Sequence, residues 1–94
     1  MNEILLVNRV NPKDYSTKKQ RVFFQIGGIN LPKIEERLEG VLKGSRIINL
    51  EDVIYKYNGI EINILVQSIP IIVRLLSENN ISVYSVYGVY DPRT

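Results

Sequence analysis

The chain has 94 residues and contains neither cysteine nor histidine. Their absence excludes disulfide bonds, thiolate chemistry, Cys/His zinc sites and every acid–base mechanism that uses an imidazole. No apolar run approaches the roughly 20 residues of a membrane-spanning helix, and the N-terminus lacks the features of a secretory signal. We therefore expect one small cytoplasmic domain without direct membrane insertion and without a cofactor.

The composition is that of a globular domain and not of a disordered chain. Apolar residues make up 45% and charged residues 23% of the sequence, and the formal net charge is +2. Residues 1–21 carry five basic and two acidic side chains, which concentrates the positive charge near the N-terminus. We divide the chain into a basic N-terminal segment or linker, residues 1–19, and a folded domain, residues 20–94. The basic segment is either solvated or lies against an acidic partner surface.

The spacing of apolar residues predicts six elements after residue 19. Gln20–Ile26 alternates between polar and apolar positions like a strand, and Gly27-Gly28 ends it. Asn30 is a candidate N-cap for a first helix, and Ser68 is the candidate for a second one. Asn79-Asn80 can supply the left-handed exit residue of that second helix. The predicted order is strand 20–26, a helix after Asn30, strand 47–57, strand 60–66, a helix after Ser68 and strand 81–90.

Asn58-Gly59 is the strongest local signal in the sequence. Two residues that can adopt positive φ, between two alternating runs, predict a type I′ hairpin. In that register Tyr57 faces Ile60 on the apolar side of the strands. Lys56 faces Glu61 on the other side as a pair of opposite charges.

The order strand, helix, strand, strand, helix, strand is that of a ferredoxin-like α+β fold, βαββαβ, with a four-stranded antiparallel sheet and two helices on one face. We call the other face of the sheet, turned away from the helices, the open face. A solvated face should be mostly polar, but this one is predicted to be mixed. Its apolar members indicate either an external protein partner or coverage by residues 3–10 folding back across it. These candidate interface residues are Phe23, Ile54, Leu65, Tyr84 and Val86.

No group of side chains in the sequence indicates catalysis. Glu35, Glu36 and Glu39 share the exposed side of the first helix, where a run of charges is typical of a solvated surface. The adjacent Glu51 and Asp52 would point to opposite faces of a strand, so the two could not hold one ion. We therefore expect a protein that is not an enzyme, with no catalytic residues and no metal site.

The turn Gly27-Gly28-Ile29-Asn30 joins the first strand to a helix N-terminus. Backbone N–H groups and the helix dipole favour an anion at such a place. We take Gly27, Gly28 and Asn30 as candidate ligand-binding residues. The alternative is a glycine turn that serves geometry alone.

Nucleic-acid binding is not expected. An RNA-binding sheet of this type presents stacking aromatic side chains on its two central strands, with basic neighbours. The third predicted strand, 60–66, has no aromatic residue and turns Glu61 towards the open face. The net charge of +2 is also too small to indicate a nucleic-acid surface.

Residues 62–92 resemble the accessory C-terminal domain of ATP-binding subunits of ABC transporters, of the drug and peptide exporter type. The resemblance is carried by Leu75-Leu76-Ser77-Glu78, by Ile81-Ser82-Val83-Tyr84 and by Pro92, and the layout extends it to about residues 20–92. It implies a non-catalytic accessory or regulatory domain whose partner is an ATP-binding domain of the same or another chain. The phosphate loop of such an ATPase is absent, so the chain is expected to be part of a larger ATPase or an orphan copy.

ACT-type regulatory domains are a second family with this order of elements. They bind amino acids near the first strand–helix turn at a dimer interface, and Gly27-Gly28-Ile29-Asn30 occupies that turn here. This resemblance implies a stand-alone effector-binding domain. A homodimerising structural module, associated through the sheet face or the last strand, is the third interpretation. In the exporter interpretation the domain is cytoplasmic and reaches the membrane only through a transporter complex.

Overall fold

The computed structural model describes residues 7–8 and 10–89. Along them the chain forms five strands and two helices, with 3-10 turns at Leu50–Asp52 and Val66–Ser68. The elements are β1 (Val7–Asn8), β2 (Gln20–Ile26), α1 (Pro32–Ser45), β3 (Val53–Lys56), β4 (Gly59–Ile64), α2 (Ile69–Glu78) and β5 (Val83–Val89).

The strands form one antiparallel sheet in the order β1-β5-β2-β4-β3. Without the two-residue β1, the four main strands have the order and directions of a ferredoxin-like sheet. The predicted α+β fold is therefore confirmed, with β2 and β4 at the centre and β3 at one edge. At the other edge β1 adds a short pairing, with Val7 opposite Val89.

The hydrophobic core lies between one face of the sheet and the two helices. Alternate residues of β2 and β4 point into it, as expected for strands with one face buried. Each helix contributes residues four positions apart, which places them on a single stripe. Full burial of each such aliphatic side chain stabilises the fold by about 1.5–3 kcal/mol. The main members are Val22, Phe24 and Ile26 of β2, Ile60, Ile62 and Ile64 of β4, Leu38 and Leu42 of α1, and Ile72 and Leu76 of α2.

The hairpin of β3 and β4 is present, but its predicted turn and register are wrong. Tyr57-Asn58 forms the two-residue turn, and Lys56 lies opposite Gly59 instead of Glu61. Neither Asn58 nor Gly59 has a positive φ, so the turn is not of type I′. The Ile26 N–H donates to the carbonyl oxygen of Asn58 at 3.0 Å. Pairing of the turn with the neighbouring strand β2 thus determines the register, which local turn preference alone does not.

The strand predicted at 47–57 is limited in the structure to β3. The preceding residues form a connection in which Arg46 has a φ of 63° and Leu50–Asp52 makes a 3-10 turn. Ile48 buries its side chain in the core and so anchors this connection. The β-branched Ile47-Ile48 pair resembles a strand in sequence, but only Ile48 packs in the core, and Ile47 is exposed.

The exit of α2 agrees with the sequence, but neither predicted N-cap acts as one. Ser68 precedes α2 in a helical conformation, as the last residue of the 3-10 turn, and its side chain makes no capping hydrogen bond. Asn30 is not an N-cap, because it lies inside a turn closed by the Leu31 N–H and the Gly28 carbonyl, and Leu31 precedes the helix. Asn80 has the left-handed φ of 60° expected at the exit of α2. The Asn80 and Ile81 N–H groups donate to the carbonyls of Ser77 and Leu76, which is a Schellman motif.

The described part of the basic N-terminal segment is attached to the folded domain. The Gln67 side-chain amide donates to the backbone carbonyls of Pro12 and Asp14, at 2.9 and 3.0 Å. The Gln20 amide donates to the Asp14 carboxylate at 3.0 Å, and Lys19 lies 3.8 Å from Asp52. These contacts hold residues 12–19 beside the start of β2 and the end of β4.

Candidate functional site

The open face carries a row of four side chains that crosses the four main strands. Ile54 of β3 lies opposite Glu61 of β4, Glu61 opposite Phe23 of β2, and Phe23 opposite Tyr87 of β5. Directly opposed residues of antiparallel strands project to the same side of a sheet. The register thus gathers two aromatic side chains, one aliphatic side chain and one carboxylate in a single line.

Phe23 is 5% exposed although it lies on the open face. The ring of Tyr87 packs against it, with centroids 5.1 Å apart and 34° between the ring planes. Gly59 makes room for this ring, because a Cβ at that position would lie 2.7 Å from the Cζ atom of Phe23 and would also meet the carbonyl oxygen of Phe24. The fold therefore requires glycine at position 59, because β2 approaches this position too closely for a side chain.

A cleft opens beside the Phe23–Tyr87 pair, and we call it the aromatic cleft. Its volume is about 170 Å³. Tyr57, on the hairpin turn, is 89% exposed and stands at its rim. The lining comprises the aromatic residues Phe23, Tyr57 and Tyr87, the aliphatic Val89, and the polar residues Lys56, Asn58 and Glu61.

Arg21 and Glu61 form an ion pair on the open face, with 3.6 Å between Nη1 and Oε2. The two side chains are 22% and 16% exposed, and the buried Nη1 atom has no hydrogen-bond partner within the described chain. A partly buried pair at this distance adds little net stability, because the loss of hydration offsets the attraction. Its effect on the site is to balance the carboxylate charge next to Phe23.

Two of the five predicted interface residues, Phe23 and Ile54, share the row across the open face. The prediction for Val86 is wrong, because Val86 lies opposite Phe24 and packs against the core. Leu65 follows the end of β4 and lines a small pocket with Lys19 and Asn63. It lies four residues beyond Glu61, at one end of the sheet, and does not join the row.

Tyr84, the remaining predicted interface residue, is exposed but lies apart from the row. Gln25 is opposite Ser85 while Ile26 is opposite Val83, so Tyr84 is the extra residue of a β-bulge. Its ring lies over Gly27, where a Cβ would come within 2.5 Å of the ring carbon Cε2. The bulge therefore directs Tyr84 to the glycine turn.

Sequence reasoning missed Tyr57 and Tyr87 as members of the site. The hairpin register shift moved Tyr57 from its predicted position on the apolar side into the exposed turn. In the β5 sequence VYSVYGV, valine and tyrosine occur at both odd and even positions, so the alternation does not identify the open-face set. The pairing of β5 with β2, which only the tertiary structure supplies, places Tyr87 on the open face.

Coverage of the open face by residues 3–10 is not seen in the part of that segment which the structure describes. Val7 and Asn8 pair with the edge of β5 and extend the sheet sideways. Residues 3–6 and 9 lie outside the described residues.

The candidate ligand residues Gly27, Gly28 and Asn30 lie together in the turn between β2 and α1. The Gly27 N–H donates to the carbonyl of Ser82 at 2.9 Å, and Gly28 has a φ of 69°. Contact with Tyr84 accounts for glycine at position 27, and the left-handed conformation accounts for it at position 28. Ligand binding at this turn stays a prediction.

Two titratable side chains of the described chain, Tyr55 and Asp14, have pKa values that depart from their ordinary ones. Burial raises the pKa of Tyr55 above its ordinary value, and the nearby Glu39 and Glu35 carboxylates raise it further. Hydrogen bonds from Ser16 hold the pKa of the Asp14 carboxyl below its ordinary range. Tyr55 lies beside α1 and Asp14 lies in the N-terminal segment. Within residues 7–8 and 10–89, no group of three or more acidic side chains is placed to hold a metal ion.

No helix in the described part of the chain is long and apolar enough to cross a lipid bilayer. Comparisons with known proteins do not assign the chain to a family. No protein-family model matches the chain, and neither a curated protein nor a solved structure matches it. The class that the fold defines is a small α+β domain with a ferredoxin-like sheet. The aromatic row and cleft on the open face are its candidate functional site.

Proposed function

We propose that this chain is a non-catalytic interaction domain that binds a protein partner through the open face of its sheet. The observation that carries the proposal is the row Ile54–Glu61–Phe23–Tyr87, in which apolar side chains occupy a face that neither α1 nor α2, the two helices of the described residues, covers. Ile54 is 41% exposed and Tyr57 is 89% exposed beside this row. Apolar groups of this size on a solvated face are typical of binding surfaces.

The balanced charge of the row favours a protein partner. Arg21 neutralises Glu61, so a partner that covers Phe23 and Tyr87 does not bury an isolated charge. Binding would remove Ile54 and the exposed part of the Tyr87 ring from water, while Phe23 is already buried. At about 25 cal/mol per Å² of apolar surface, this burial supplies the main favourable contribution to association.

The setting we propose is the one that the resemblance implies. In it the chain is the accessory domain of an exporter ATP-binding subunit, located in the cytoplasm, and its partner is an ATP-binding domain of the same or another chain. The order of the four main strands is compatible with that setting. The domain then acts as a regulatory contact, and ATP hydrolysis belongs to the partner.

The test is isothermal titration calorimetry between the purified chain and the ATP-binding domain of an exporter-type ABC subunit from the same genome. We expect Ile54→Lys to weaken binding by at least about tenfold, because it places a charge in the apolar contact at a cost of about 1.4 kcal/mol or more. Ile54 lies directly opposite Glu61, so a lysine there has a carboxylate partner and the fold is retained.

Ile71→Lys is the matched control, because Ile71 is an exposed isoleucine on α2, which lies on the opposite side of the sheet. We expect it to change the dissociation constant less than about twofold. Equal effects of the two variants, or no binding by the unaltered chain, would contradict the proposal.

The effector-binding alternative makes a different prediction for the same protein. An amino-acid site at the first strand–helix turn requires chemical-shift changes at Gly27, Gly28 and Asn30 when amino acids are added to the isotopically labelled chain. Homodimerisation requires a mass that rises with concentration in sedimentation equilibrium. If either result is obtained, and Ile54→Lys binds the ATP-binding domain as tightly as the unaltered chain does, the open-face proposal is wrong.

A further inference from the structure

We infer that the aromatic cleft receives one aromatic side chain of the protein partner, and that this side chain is flanked by a carboxylate. This inference rests on the proposed function and names the chemistry of the partner's contact. Three rings line the cleft, with Phe23 and Tyr87 packed together on one side and Tyr57 at the rim. Such walls suit the flat face of another ring, because offset and edge-to-face aromatic contacts are favourable.

The size of the cleft indicates a single side chain. Its volume is about 170 Å³. Sites for whole small molecules generally enclose about 300–1,000 Å³, so this cleft is too small for a typical metabolite or cofactor. An anchor residue inserted from a protein surface is the occupant that fits, and aromatic residues are the common anchors of protein interfaces.

The charges around the cleft favour a carboxylate next to that ring. Glu61 is paired with Arg21, whereas Lys56, which also lines the cleft, forms no ion pair with a residue that the structure describes. The three charged groups therefore leave one net positive charge at the rim. A partner carboxylate beside the aromatic side chain would pair with Lys56, while a basic neighbour would be repelled.

The rigidity of the cleft supports binding without rearrangement. Phe23 is held by the close approach of Gly59 and by the ring of Tyr87. The Asn58 carbonyl accepts the Ile26 N–H, which ties the turn that carries Tyr57 to β2. Tyr57 is 89% exposed at the rim, so its ring is available to contact an inserted side chain.

Three blocked dipeptides test whether the cleft prefers an aromatic side chain next to a carboxylate. The probes are acetyl-Asp-Trp-amide, acetyl-Lys-Trp-amide and acetyl-Asp-Leu-amide, titrated into the isotopically labelled chain with NMR detection. We expect acetyl-Asp-Trp-amide to shift the resonances of Tyr57, Gly59 and Tyr87, with a dissociation constant of about 1 mM. The other two probes should bind at least about threefold more weakly.

Tyr57→Ala should weaken binding of acetyl-Asp-Trp-amide at least about fivefold, and Lys56→Gln should abolish the preference for Asp over Lys. Tyr15→Ala is the matched control, because Tyr15 is 77% exposed in the N-terminal segment and does not line the cleft. It should leave binding unchanged. Both tyrosines are largely exposed, so each replacement keeps the fold.

Three outcomes would overturn the inference: no shifts at the cleft at about 10 mM probe, equal binding by the leucine probe, or tighter binding of a uridine oligonucleotide at the cleft. If they occur while Ile54→Lys still weakens association with the ATP-binding domain, the open face binds its partner without an aromatic anchor. The proposed function then stands and only the inference fails. If the probe binds but no ATP-binding domain does, the proposed exporter setting fails.

Discussion

At the scale of single residues, the structure separates glycines that the fold requires from glycines that it tolerates. A Cβ at Gly59 would meet the carbonyl oxygen of Phe24 and the ring of Phe23. Backbone cannot yield as an exposed side chain can, so this position excludes every other residue without a shift of β4. A Cβ at Gly40, in the middle of α1, would meet nothing within 4 Å.

We expect Gly59→Ala to lower the free energy of unfolding by about 2 kcal/mol or more, because it forces β4 away from β2. Gly40→Ala should raise it by about 0.5–1 kcal/mol, since alanine is the better residue in a helix interior. Urea denaturation followed by circular dichroism measures both values. Similar effects of the two substitutions would show that the close approach at Gly59 is absent.

At the scale of secondary-structure elements, the helix ends depend on contacts between neighbouring residues, whereas the strand register depends on contacts between residues far apart in sequence. The exit of α2 is local, because Asn80 adopts a left-handed φ and the Schellman motif around it spans only the six residues 76–81. The entry to α1 is also a local turn, but it leaves Asn30 without a capping role. The β3–β4 register is not local, since the turn bonds to Ile26 of another strand.

Asn80→Ala should destabilise the protein by about 1 kcal/mol, because alanine is strained at a φ of 60°. Asn80→Gly should match or exceed the stability of the unaltered protein, since glycine carries no such strain. Asn30→Ala serves as the control and should change stability by less than about 0.5 kcal/mol, where removal of a true N-cap costs about 1 kcal/mol. Thermal unfolding of the three variants provides the comparison. If Asn30→Ala lowers stability as much as Asn80→Ala does, Asn30 caps α1 after all and the helix start described above is wrong.

At the scale of the whole molecule, Tyr55 of the edge strand β3 lies close enough to the acidic surface of α1 for the carboxylates there to change its pKa. Burial raises its pKa, and the carboxylates of Glu39 and Glu35 add to the rise. A tyrosine with a higher pKa in the folded chain than in the unfolded chain binds its proton more tightly when folded. Its contribution to stability is therefore complete below the ordinary pKa of 10.0 and decreases as the pH rises above it.

Tyr55→Phe should remove this contribution to the loss of stability in alkaline solution. We expect the difference in unfolding free energy between the unaltered protein and Tyr55→Phe to be constant up to about pH 9, and then to change in favour of the phenylalanine variant. Urea denaturation across this pH range tests the expectation. Parallel pH dependence of the two proteins would mean that Tyr55 has the same pKa in the folded and unfolded chains.

The main architecture was predictable because it follows from periodicity and local backbone preference. Alternation in Gln20–Ile26, helical spacing at Leu38 and Leu42, and the glycine turn are all properties of neighbouring residues, and the α+β element order follows from them. These local signals also placed Phe23 and Ile54 on the open face. They do not extend to pairings between distant strands.

The composition of the aromatic cleft depended on such pairings and was decided only by the tertiary structure. Tyr87 reaches the open face through its register with Phe23, and Tyr57 reaches the rim because the hairpin turn bonds to β2. Val86 packs against the core and Tyr87 lies on the open face, because neighbouring residues of a strand point to opposite faces. In β5 both alternating sets contain valine and tyrosine, so alternation identifies the two sets but only pairing with β2 determines which of them faces the helices.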